Sequence, residues 1–225
     1  QEAINAASAV IDDPNYQLMT ERFGRYKDFK FRGYQRIESN KPWGDVYWDL
    51  FREDNFNRID GNMECIWNIQ MDFSIEGGGN DNQWGGNLML EYALGGPALF
   101  LQRDKNGMKN WRRDTVGGNP VGWYLYTDYY LNKLWEFKDD ADRDIRNSEY
   151  NIQRTWYWHN PEGEFYQQPC TPDNVQDPAN NFNTFFSPSL KKFMTAVHYG
   201  LRFHECPEYY VRSFKDWYIM RLAET

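Results

Sequence analysis

Aromatic side chains set among polar residues and glycines are the feature of this sequence with the clearest chemical use. Forty-one of the 225 residues are aromatic, and ten of these are Trp. Trp and Tyr combine a broad apolar face with a polar tip, so they tolerate partial exposure and suit ligands such as sugar rings. The side chains that we predict to bind ligand lie in irregular stretches rich in Gly, Asn and Arg: Trp84, Trp111, Arg112, Trp123 and Tyr124.

Residues that could perform catalysis form no specific constellation in the sequence. His159, His198 and His204 lack the spacing of a metal-binding pair. The acidic run at residues 139–144 lacks the Gly and Glu of an EF-hand loop, and a looser calcium site there is left as an alternative. Glu64 is the least implausible glycosidase carboxylate, but we interpret it as a solvent-facing strand residue. We predict no catalytic residue, no metal and no cofactor, with a glycoside hydrolase using an Asp/Glu pair as the alternative.

Charge and cysteine content exclude several classes of protein. The formal net charge of −8 argues against nucleic-acid binding, which needs a basic surface. No apolar run reaches the roughly 18 residues that a membrane span requires. The three cysteines, Cys65, Cys170 and Cys206, are an odd number without metal-site spacing, so we predict buried or incidental thiols rather than a disulfide framework.

The elements that must position these residues mix helices, strands and long loops. Alternation over residues 63–73 predicts a strand whose apolar face enters the core. A second strand is predicted at 150–158, with helices at 45–53, at 190–201 and after the capping residue Thr127. Periodic apolar positions place four Trp side chains in the core: Trp67, Trp135, Trp156 and Trp217. The long irregular segments are residues 77–97, 101–122 and 160–188.

The two ends of the sequence both have helical character. Residues 1–12 repeat apolar side chains at helical spacing, and residues 216–225 are typical of a helix that is just beginning. No capping residue precedes the first helix, and no stop signal closes the second. We expect the chain to be an internal piece of a longer protein.

Three motifs in order carry a resemblance to a known family. Residues 117–124, GGNPVGWY, precede a capped helix and an acidic turn up to Tyr150, and this arrangement resembles the middle of SusD/RagB-family proteins. The strand sequence NMECIWNIQ at residues 62–70 and the segment KDWYIMRLAET at residues 215–225 are similar to two further motifs of that family. The resemblance spans most of residues 60–225.

The resemblance implies a mainly α fold with some β, in which tetratricopeptide-type helices support an irregular half made of long loops. This chain, residues 1–225, would be an internal fragment of one such domain and would mostly be its irregular half. The implied function is non-catalytic binding of glycan by a cell-surface lipoprotein of the outer membrane. The implied partners are the glycan and a SusC-like TonB-dependent transporter for nutrient uptake and polysaccharide utilisation, with the membrane reached only through a lipid anchor outside this chain. Peptide binding is the alternative within the family.

Overall fold

The computed structural model describes residues 1–28, 42–52, 55–70, 76, 103–109, 126–136, 144–158, 160, 162–178, 188–190, 192 and 217–224. Short elements separated by turns make up this part of the chain. Its α-helices are α1 (Glu2–Ile11), α2 (Val46–Leu50) and α3 (Asp128–Leu131). Its strands are β1 (Cys65–Ile69), β2 (Ile152–Gln153), β3 (Ser189–Leu190) and β4 (Trp217–Arg221). Single 3₁₀ turns occupy Gly24–Tyr26, Arg58–Asp60, Lys133–Trp135, Ile145–Asn147 and Leu222–Glu224.

The predicted mainly α, tetratricopeptide-type fold is wrong for the part of the chain that the structure describes. Three α-helices are found there, and about 30% of the residues are helical. A tetratricopeptide unit needs paired helices of several turns that bury their apolar faces against each other. Here α2 and α3 are five and four residues long, and the ten-residue α1 buries none of its side chains. None of the described helices is long and apolar enough to cross a membrane.

The two longest strands come from distant parts of the chain and pair antiparallel. In this β1–β4 sheet, Trp67 lies opposite Met220, and Ile69 lies opposite Trp217. The register shifts on both sides of Trp67. The β4 segment was predicted to open a helix, and this prediction is wrong, because Trp217–Arg221 is extended and only a single 3₁₀ turn follows it.

Helix α2 supplies the apolar core beneath this sheet. Asp45 caps the helix by accepting a hydrogen bond from the Trp48 backbone N–H at 2.7 Å. The helix directs Leu50 into a cluster with Phe23 and Phe51, and Tyr218 of β4 packs on the same cluster. The predicted helix is therefore confirmed, in a shorter form, together with its apolar face. Gly61 ends the 3₁₀ turn at Arg58–Asp60 with a φ of +94°.

A second packed region lies around the short β2–β3 pair. Trp156 and Trp158 are buried there, as is Trp135 after α3. The core positions predicted for Trp135 and Trp156 are thus confirmed. The predicted strand at 150–158 is regular only at Ile152–Gln153. Thr127 caps α3, because its hydroxyl accepts from the Tyr130 N–H at 3.3 Å, which confirms the predicted cap.

Candidate functional site

The five residues predicted to bind ligand, Trp84, Trp111, Arg112, Trp123 and Tyr124, lie outside the residues that the structure describes. The same holds for His159, for Cys206 and for most of the acidic run at 139–144. Their predicted roles stay predictions. The candidate site is therefore built from the described aromatic side chains that reach solvent.

The outer face of the β1–β4 sheet is apolar and open to solvent. Trp67 exposes 64% of its surface and Ile69 exposes 47%. Across the sheet, Ile219 and Met220 expose 43% and 44%. We call these four residues the outer face. The predicted core position of Trp67 is wrong, because β1 turns Trp67 and Ile69 to solvent and keeps only Cys65 of that side buried. Of the side chain of Trp217 nothing is described.

The register shifts of the sheet explain why two consecutive residues of β4 reach the outer face. Trp67 pairs with Met220 and the next residue, Asn68, pairs with Tyr218, so β4 has one extra residue, Ile219, at this point. Such a bulge interrupts the strict alternation of sides along a strand. Ile219 and Met220 are both exposed, and Met220 lies opposite Trp67.

The inner side of the sheet buries polar groups beside the apolar cluster of α2. Glu64 is only 4% exposed, and its Oε1 accepts from the Met19 backbone N–H at 2.9 Å. Its Oε2 lies 3.7 Å from Nη1 of Arg221 and has no hydrogen-bond partner among the described residues. The backbone oxygen of Glu64 accepts from the Leu222 N–H at 2.9 Å. The prediction that Glu64 faces solvent is wrong, since a buried carboxylate requires such partners.

Tyr218 and Asn62 anchor β4 to the core on this inner side. The Tyr218 hydroxyl donates to the Leu50 carbonyl oxygen at 2.6 Å and accepts from Nδ2 of Asn62. Asn62 is fully buried, donates to the Asn55 carbonyl at 3.0 Å, and its Oδ1 accepts from the Glu64 N–H at 3.1 Å. Burial raises the pKa of Tyr218 above its ordinary value. The hydroxyl therefore stays neutral, and β4 is fixed beside β1.

The two strands carry no charge along their outer stretches. Residues 65–70 and 217–220 contain no Asp, Glu, Lys, Arg or His, in a chain that is 26% charged. Their polar side chains include amides: Asn68 and Gln70 each donate to Oδ1 of Asn57 at 2.9 Å. Within residues 65–70 and 217–220, the outer face therefore combines an indole and aliphatic side chains with uncharged amides.

The described residues give little support for a metal site or a nucleophilic thiol. No group of three or more potential metal ligands occurs among them. Asp144 forms a short-range pair with Arg146, which lowers the pKa of Asp144, and this pairing accounts for the end of the acidic run. Cys65 and Cys170 are buried, as predicted, and burial raises the pKa of Cys170. A thiol with a raised pKa is a poor nucleophile.

Comparisons with known proteins add no family to this picture. No family model, no curated protein and no solved structure matches the chain.

Sequence reasoning missed the outer face because it assigned every apolar side of a strand to the core. One signal in the sequence could have found it. Asn62 and Glu64 lie just before the strand, on its polar side, and an Asn and a Glu this close can hydrogen-bond to each other when buried. A strand with such a pair on its polar side can bury that side and expose the apolar one. The uncharged stretch at 217–220 is the second half of the same surface.

Proposed function

We propose that this chain binds glycan without catalysis and that the Trp67 indole is one of its contact surfaces. The observation that carries the proposal is the 64% exposure of Trp67 on a sheet whose position is fixed from below. An exposed indole presents an apolar plane to the C–H face of a sugar. A fixed scaffold lowers the entropy that binding would otherwise cost.

The expected affinity follows from the size of the contact. Burying one large apolar side chain contributes about 1.5–3 kcal/mol. A millimolar complex requires about 4 kcal/mol, and a micromolar complex about 8 kcal/mol. Trp67 alone is thus insufficient even for millimolar binding. In this proposal the remaining contacts come from the other outer-face residues and from the predicted ligand residues: Trp84, Trp111, Arg112, Trp123 and Tyr124.

The position of Glu64 supports binding rather than hydrolysis. Glycoside hydrolysis requires two carboxyl groups that reach the scissile bond. Glu64, the carboxylate closest to that role in the sequence, is buried and contacts Met19 and Arg221. It cannot reach a polymer on the surface.

We also propose the cellular setting that the sequence motifs suggest. Resemblance at residues 62–70, 117–157 and 215–225 supports a SusD/RagB-type lipoprotein at the outer-membrane surface that delivers glycan to a TonB-dependent transporter. This part of the proposal depends on the motifs alone.

Protein or peptide docking is the second candidate for the same surface. Three of the four outer-face residues are aliphatic or Met: Ile69, Ile219 and Met220. Met and aromatic residues are enriched in protein interfaces, and contiguous exposed apolar surface often marks one. Binding of peptides with no response to any glycan would favour this candidate.

Affinity electrophoresis of the chain through gels containing soluble polysaccharides tests the proposal. We expect at least one neutral polysaccharide to retard the protein and Trp67→Ala to weaken this retardation about fivefold or more. Tyr129→Ala is the matched control, because Tyr129 is a 65% exposed aromatic residue on α3. If Trp67→Ala and Tyr129→Ala are retarded equally, Trp67 does not contact the glycan. Release of reducing sugar by the wild type would contradict non-catalytic binding and favour a glycoside hydrolase.

A further inference from the structure

The turn at Asp104–Gly107, which is separate from the outer face, holds a residue pair with covalent chemistry of its own. Asn106 is exposed and is the only Asn of the sequence that Gly follows. In such a pair the Gly nitrogen can attack the Asn side chain, because Gly has no β carbon to hinder it. We infer that Asn106 is a deamidation site, that the closed turn protects it, and that its isoaspartate product cannot re-form the turn.

The reaction needs no reagent other than water. The Gly107 backbone nitrogen gives up its proton and forms a bond to Cγ of Asn106, and the side-chain nitrogen leaves as ammonia. Water then hydrolyses the five-membered succinimide that results. Opening at one carbonyl gives Asp at position 106. Opening at the other gives isoaspartate, in which the main chain runs through the β carbon.

The closed turn engages both reacting groups in hydrogen bonds. The Gly107 N–H donates to the Asp104 carbonyl oxygen at 2.8 Å, so the attacking nitrogen keeps its proton. The Asn106 side-chain amide donates to Oε2 of Glu164 at 2.7 Å. Gly107 has a φ of +82°, a conformation that glycine adopts without steric cost. The reaction therefore requires the turn to open first.

Asp104 keeps the turn closed. It is only 2% exposed, and its Oδ1 accepts from the backbone N–H groups of Asn106 and Met108, both at 2.9 Å. The neighbouring segment adds a further contact, because Nδ2 of Asn160 donates to the Lys109 carbonyl oxygen at 2.8 Å. Opening the turn breaks several of these bonds together, so the open state is rare.

The isoaspartate product does not fit this turn. Its main chain is one carbon longer, so the ring closed by the hydrogen bond from Gly107 to Asp104 becomes one atom larger. The Asp product keeps the main chain but places a carboxylate beside Glu164 instead of an amide donor. That pair of like charges is exposed and should weaken the contact only modestly. Conversion to isoaspartate is thus the change that opens the turn permanently.

Peptide mass spectrometry after incubation of the full chain at mildly alkaline pH tests the inference. Conversion at Asn106 raises the mass of its peptide by the difference between OH and NH₂, and electron-transfer fragmentation distinguishes isoaspartate from Asp. We expect conversion in urea to be at least about tenfold faster than conversion in the folded chain. Asn147, which Ser follows, is the internal reference and should convert more slowly than Asn106 in urea.

Variants separate the effect of the turn from the chemistry of the pair. Asp104→Ala removes the side-chain acceptor that closes the turn, and we expect the rate in buffer to rise about tenfold or more. Asp104→Asn keeps an oxygen acceptor and is the matched control. Glu164→Ala changes an exposed residue and retains the fold, so it tests protection even where Asp104→Ala does not fold. It should raise the rate about twofold to fivefold.

Each part of the inference has a result that overturns it. Conversion of Asn147 ahead of Asn106 in urea would show that Asn106 is not the reactive residue. Equal rates in buffer and urea, or a folded Glu164→Ala with an unchanged rate, would show that the turn does not protect it. Trypsin should cleave the isoaspartate chain after Arg103 about fivefold faster or more, because the bond to buried Asp104 becomes accessible. Unchanged cleavage would show that the product re-forms the turn.

Discussion

The two sides of the β1–β4 sheet differ in what covers them: the inner side packs on the apolar cluster of Phe23, Leu50 and Phe51 and also encloses polar groups, whereas the outer face is open to solvent. The outer face presents Trp67 and three apolar neighbours to solvent, whereas the inner side buries Asn62, Glu64 and the hydroxyl of Tyr218. Buried polar groups are tolerated when hydrogen bonds satisfy them. Apolar groups on the surface gain nothing from folding and are typical of contact with a ligand or partner. The inner side thus maintains the fold, and the outer face is available for binding.

Among the residues of the two sides of the sheet, the largest effect should come from Asn62→Ala on the inner side. The change removes the donors to Tyr218 and Asn55 and the acceptor for the Glu64 N–H. We expect a loss of about 2–4 kcal/mol in the free energy of unfolding, measured in urea. Asn68→Ala is the control, because its amide is half-buried and donates to Asn57. It should cost about 1 kcal/mol or less. Similar losses for both variants would contradict the anchoring role.

Tyr218→Phe should have the next largest effect and a distinct pH dependence. Phe keeps the ring contacts with Phe51 and Phe56 but loses the hydroxyl, so we expect a loss of about 1–2 kcal/mol near neutral pH.

The pKa of Tyr218 sets the sign of the pH effect. Because the folded pKa lies above the unfolded one, its contribution is present below about pH 10 and is lost as the pH rises and the unfolded chain ionises. Stability of the wild type should fall in alkali, and the variant should fall less steeply. Tyr126, whose pKa is also raised, contributes equally to the alkaline loss of stability in the wild type and in Tyr218→Phe. Parallel curves for the two proteins would show that Tyr218 is not buried as described.

The smallest effect on stability should come from Trp67→Ala. The indole is mostly exposed, so we expect a change below about 1 kcal/mol. Trp156→Ala is the contrasting variant, since Trp156 is 1% exposed, and it should cost about 3–5 kcal/mol. Urea denaturation of both variants measures the contrast. A loss of several kcal/mol in the free energy of unfolding of Trp67→Ala would show that the indole is buried, and the exposed outer face would be wrong.

Local patterns predicted several elements correctly. The apolar face of α2, the Thr127 cap and the buried Trp135 and Trp156 follow from spacing and capping chemistry. The orientation of β1 did not follow, because alternation shows that a strand has two sides and does not show which one is covered. That choice depends on Tyr218 and Arg221, about 150 residues away in the sequence. The fold class was wrong because motif resemblance suggested helices where β4 pairs with β1.

The central claim is that the Trp67 indole is open to solvent and receives sugar. Fluorine NMR of the chain labelled with fluorotryptophan tests it directly, with the Trp67 signal assigned by its absence in Trp67→Phe. We expect this signal to broaden strongly with a soluble paramagnetic agent and to shift on addition of a polysaccharide that retards the protein in affinity electrophoresis, while the Trp156 signal does neither. A Trp67 signal that is protected from the agent and unmoved by any glycan would contradict the account.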